Sequence, residues 1–91
     1  MRFEWDERKA AANLRKHGIS FPEAVRVFYD LLSVTGDDPD HSVNERRFVT
    51  FGVSSSGHLI DVVHVDRDDA IRIVRDRPAT RAERNIYEKT H

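Results

Sequence analysis

The chain contains no cysteine, which excludes disulfide staples, thiolate metal sites and thiol nucleophiles and fits a reducing compartment. Long apolar runs are missing as well: wholly apolar stretches reach only two or three residues, and the opening Met1-Arg2-Phe3-Glu4-Trp5-Asp6 has no apolar targeting core. Repeats, low-complexity segments and linkers are absent. With 91 residues there is room for one modest core in a single domain, residues 1–91, and none for an extended cofactor fold. A surplus of charge is lacking too, since the net charge is −1; a protein that coats nucleic acid needs many basic contacts, so only a local phosphate site remains open. A soluble cytoplasmic protein of prokaryotic type is expected.

What is present begins with punctuation. Phe3 and Trp5 alternate with Arg2 and Glu4 as a short strand. Asp6 caps a helix with Glu7 in its first turn, Lys16 and His17 in its last, and Gly18 available to close it in the left-handed conformation. Ser20 and Glu23 form a capping box before a second helix, whose apolar face is Phe21, Ala24, Val25 and Phe28 and whose end falls near Tyr29 or Asp30. Strands are then expected at Leu31–Thr35, Arg46–Val53, His58–Val65 and Ile71–Arg75, with turn-rich chain at 36–42 and a hairpin loop at Ser54–Gly57. Thr80 and Glu83 make another capping box that starts a last helix. The expected class is α+β, β-α-α-β-β-β-β-α, with an antiparallel sheet packed on the two N-terminal helices.

Charge is uneven along this string. From Ile71 to Arg84 five arginines face Asp76 and Glu83, a local balance of +3 (5 minus 2), whereas Asp30 to Glu45 carries five acids and no Lys or Arg. Arginine forks suit phosphate oxygens, so the basic end points to phosphodiester recognition. Strict alternation puts Ile71, Ile73, Arg75 and Arg77 on one side of the last strand and Arg72 and Val74 on the other. The competing reading is surface pairing of Arg75 and Arg77 with Asp66, Asp68, Asp69 or Asp76, which stabilises little.

His64 is a candidate proton carrier on the side of Ile60 and Val62, although a histidine satisfied at a sheet margin has the same sequence. Asp37, Asp38, Asp40 and His41 offer metal-ligand types, but turn geometry already explains them, and no metal or cofactor is expected. Ser33, Ser54, Ser55 and Ser56 lack the context of an activated nucleophile. RNA carries its own nucleophile, the 2′-hydroxyl, so a protein can cut it by orientation and arginine electrostatics alone. RNA is therefore favoured over DNA.

The chain resembles the BrnT family, the toxin half of type II toxin–antitoxin pairs. The likeness runs through Phe3-Glu4-Trp5-Asp6, Lys9, Asn13, Lys16-His17-Gly18, Phe21 and Glu23-Ala24 and on to Glu45-Arg46-Arg47-Phe48. It continues with Arg67, Arg72-Ile73, Arg77-Pro78-Ala79-Thr80 and Glu83-Arg84. It implies a RelE-like fold, metal-independent endoribonuclease activity that inhibits translation, and a BrnA-like ribbon-helix-helix antitoxin. Operator DNA would be reached only through that antitoxin, in an assembly with room for a toxin homodimer and no membrane partner. By position it makes Arg67, Arg72 and Arg77 catalytic; the residues themselves add His64, or Glu45 leading into a strand beside Arg46 and Arg47, as proton carriers, and Arg46, Arg75, Arg81 and Arg84 as RNA-binding. Arg75-Asp76 and Val65-Asp66 depart from the small and Thr-Glu residues usual there. A non-catalytic binding module, or an inactivated toxin retained as co-repressor, are the alternatives.

Overall fold

The computed structural model describes residues 1–38 and 45–89. Elements follow in the order β1 (Arg2–Glu4), α1 (Glu7–His17), α2 (Phe21–Val27), β2 (Val34–Asp37), β3 (Phe48–Val53), β4 (Leu59–Arg67), β5 (Ala70–Pro78) and α3 (Arg81–Lys89). The strands form one sheet in the order β1-β5-β4-β3-β2, antiparallel except for β1, which runs parallel to β5. The element closest to the amino terminus thus lies beside the last strand.

The helices start where the capping residues dictate. Asp6 accepts from the backbone N–H groups of Arg8 and Lys9 (2.8 and 3.1 Å), and α1 ends on Gly18 at φ 72°, a left-handed angle that a side chain would resist. Ser20 Oγ accepts from Glu23 N at 3.2 Å to open α2. The core lies between α2 and the sheet: Phe21, Ala24 and Val27 meet Ile60, Val62 and Ile73, with Phe3, Trp5 and Phe28 packed at its margin. Each buried Phe, Val or Ile contributes roughly 1.5–3 kcal/mol by leaving water.

Two expectations are corrected. Leu31 and Leu32 are not in a strand; Asp30 ties the turn by accepting from Leu32 N (3.0 Å) and Ser33 N (3.0 Å), Leu31 is 98% exposed, and β2 begins at Val34. Nor does β5 alternate regularly. Val63 pairs with Arg75 but His64 with Ile73, so Val74 is skipped by the register as a β-bulge. Past the bulge the sides exchange. Asp76, not Arg75, joins Ile73 on the helix side, and Arg72, Arg75 and Arg77 fall opposite Val65, Val63 and Asp61 on the other.

Candidate functional site

That register builds a face. Ile60, Val62 and Ile73 point to the helices. Arg72, Arg75 and Arg77 therefore stand together on the reverse side, and Arg67, two residues beyond Val65 on β4, continues the same row. On the same side Val63 and Val65 are buried.

Each arginine of the predicted catalytic set has a carboxylate beside it. Arg67 approaches Glu45 (3.5 Å), Arg72 approaches Glu4 (3.4 Å), and Arg77 Nε donates to Asp61 Oδ2 at 2.9 Å. The first two pairs are solvent-reached and hold little free energy. The third differs because Asp61 is 1% exposed: its charge needs Arg77, and the pair fixes the guanidinium plane. Asp61 accordingly raises the pKa of Arg77, with Glu83 and Asp38 adding to it. Glu83, beside Asp61 at the start of α3, is pushed above the usual carboxylate range, chiefly by burial and further by Asp61, while Thr80 N–H opposes.

Arg75 lies in a cleft of about 390 Å³ between α1 and this face, with Lys9, Lys16, His17 and Arg47 among its walls. Four cations and a histidine against Asp38 make it strongly basic. Arg84 lines a second cleft of about 360 Å³, which shares His17 with the first. Arg81 is exposed on the first turn of α3. Arg46 is engaged elsewhere, donating to Asp37 (2.9 Å) with its guanidinium 5.0 Å over the Phe48 ring.

His64 is on the other side of the sheet from the arginines. It is 4% exposed, its ring is held edge-on to Phe28 and stacked on Phe48, and Nε2 shares a hydrogen bond with Thr50 Oγ1 at 2.7 Å. Burial lowers its pKa, with Asp66 opposing. Of the acidic loop proposed as ligand types, Asp40 and His41 lie outside the described residues, and among the described residues no three His, Asp or Glu side chains converge as a metal site.

Sequence reasoning passed over several site residues. Lys9 and Lys16 are two helical turns apart on α1 and so face one cleft, a spacing that was readable; Arg47 joins them only through the fold. The cluster of Glu23, Ser54, Ser56 and His58 had no local pattern, because α2 and the β3–β4 hairpin meet only in three dimensions.

The solved structure of the Brucella abortus ribonuclease toxin, BrnT, is similar at a TM-score of 0.64 and 21% identity, over 89% of this chain and 99% of that one, a likeness of fold. Among curated proteins none matches in sequence. The family described as "Ribonuclease toxin, BrnT, of type II toxin-antitoxin system" matches residues 5–83. With most of its length inside that match, the chain belongs to the BrnT ribonuclease toxin family of type II toxin–antitoxin systems.

Proposed function

We propose that the protein is a RelE-like, metal-independent endoribonuclease that inhibits translation in the cytoplasm by cleaving RNA, and that a BrnA-like ribbon-helix-helix antitoxin neutralises it and carries the pair to operator DNA. The observation that carries this reading is the bulged register of β5, which sets Arg72, Arg75 and Arg77 on the face that Arg67 of β4 already shares. Guanidiniums so arranged hold the phosphodiester backbone through its phosphate oxygens and offset its charge. Their carboxylate partners act as counter-ions in the resting protein; RNA displaces the weakly held Glu4 and Glu45, whereas Asp61 stays as the fixed support of Arg77.

Purified protein incubated with total RNA, with and without EDTA, tests the reading. Cleavage equal in both arms is expected; intact RNA at protein excess, or cleavage abolished by chelator, contradicts it. Growth arrest on induction should be relieved by Arg72→Ala and by Arg75→Ala. Arg77→Ala is a poor probe, since it strands the buried Asp61 carboxylate and costs about 3–5 kcal/mol of folding stability. Intact RNA together with unaffected growth favours a non-catalytic module that acts with its antitoxin.

A further inference from the structure

The two clefts meet at His17, which forms a wall of both. The second cleft brings together an imidazole from the last turn of α1, His17, a second imidazole just before β4, His58, and a guanidinium from α3, Arg84. Two imidazoles and a guanidinium around one concavity are the groups that RNA transphosphorylation needs: an acceptor for the 2′-hydroxyl proton, a donor for the leaving oxygen and a cation for the phosphate.

The setting of the His58 ring follows from its neighbours. The hydroxyls of Ser54 and Ser56 both donate to Glu23 Oε2, at 2.7 and 2.6 Å. Each hydroxyl has one proton, so Ser56 has none left for His58 Nδ1, which lies 3.1 Å from Ser56 Oγ and 3.3 Å from Glu23 Oε2. Nδ1 must itself be the donor. In the neutral form of that ring Nε2, the other nitrogen, is the lone-pair acceptor. Glu23 is kept an anion by Ser56 and Ser54, which hold its carboxyl below the usual range, so it orients the ring as a carboxylate orients a catalytic imidazole. His17 sits where the free carbonyl ends of α1 attract positive charge, beside Lys16. The charged groups around the two rings are Glu23 from α2, Lys9 and Lys16 from α1, Asp38 just after β2, Arg47 just before β3, Arg75 from β5 and Arg84 from α3.

We propose that this second cleft is the transphosphorylation centre: His58 Nε2 takes the 2′-hydroxyl proton, His17 protonates the departing 5′-oxygen, and Arg84 holds the phosphate. The O2′–P bond forms as the P–O5′ bond breaks. The products are a 2′,3′-cyclic phosphate and a 5′-hydroxyl, and no co-reactant is consumed. The Arg75 cleft and the arginine face carry the flanking backbone into it. This rests on the ribonuclease reading above, and Glu23 is a positioning residue.

The test uses the full chain, an RNA oligonucleotide, and the same oligonucleotide with 2′-deoxyribose throughout as an uncleavable ligand. His17→Asn and His58→Gln should each cut cleavage by about 100-fold or more while binding of the deoxy ligand and the melting temperature hold. The wild-type pH–rate profile should be a bell that loses its alkaline limb in His17→Asn and its acidic limb in His58→Gln, and Glu23→Gln should displace the acidic limb without removing it. Cleavage at wild-type rate in both histidine variants, with Arg72→Ala inactive, overturns this centre and leaves the ribonuclease reading standing. A wild-type protein that leaves RNA intact overturns both.

Discussion

Asp76 has no exposed surface, yet it carries a carboxyl group. Asn13 clamps it, donating from Nδ2 to Asp76 Oδ1 and accepting from Asp76 N at 3.1 Å, in place of a strand partner beside this part of β5. Burial pushes its pKa up to about 7, against the opposing donation from Asn13 and with Glu23 and Asp61 adding. The folded state therefore holds this proton over a range where the unfolded chain, at an ordinary 3.8, has released it. Stability from this residue is full below about pH 4 and declines as pH rises to about 7, by about 4 kcal/mol in all. His64, whose lowered pKa favours the neutral ring, works in the opposite direction as pH falls. We expect Asp76→Asn to gain on the wild type steadily between pH 4 and 7 in chemical denaturation; a difference that is constant across that window would contradict this account. In the sequence Asp76 reads as one more surface acid between Arg75 and Arg77. Only the skipped Val74 turns it inward, and a bulge leaves no mark in an alternating string.

At the scale of elements, α3 is anchored at both ends. Thr80 N donates to Glu83 Oε1 (2.8 Å) and Glu83 N to Thr80 Oγ1 (3.1 Å), a complete capping box that the spacing foretold. At the other end Tyr87 Oη donates to Asp30 Oδ2 at 2.6 Å, and the same oxygen accepts from Val53 N at 2.9 Å. Burial and this anion push the phenol to about 12. Removing the hydroxyl with Tyr87→Phe should cost about 2 kcal/mol and speed amide exchange through 81–89 while β4 keeps its protection; unchanged exchange in α3 would remove Tyr87 as its tether. Caps and the glycine close were legible because they depend on residues three or four apart. The Ser20–Glu23 pair was legible only by half: Ser20 caps α2, but Glu23 turns to the hairpin serines instead of back to Ser20. Gly52 had no visible reason in sequence, and in the fold a Cβ there would lie 3.0 Å from both Asp30 Oδ2 and Ser33 Cβ.

Across the whole molecule, a net charge of −1 coexists with one basic face and a basic cleft. Binding to RNA should therefore be local and salt-dependent, each phosphate neutralised adding about −0.7 to the slope of log affinity on log salt. Arg72→Ala and Arg75→Ala should each flatten that slope by about 0.7 in a titration of uncleavable RNA; two variants with the wild-type slope would place the backbone elsewhere. The order of elements could be read from periodicity, but the seating of β1 against β5 could not, because Arg2 and Ala70 stand at remote points of the chain and no local pattern links them.

That seating also sets when, during synthesis, the arginine face can form. A ribosome that has released the chain only as far as β4 has supplied neither the strand that receives β1 nor three of the four guanidiniums of the binding face. Closure of the sheet and arrival of the cations are one late event. A product interrupted before β5 consequently lacks the arginine row on which the proposed ribonuclease activity rests.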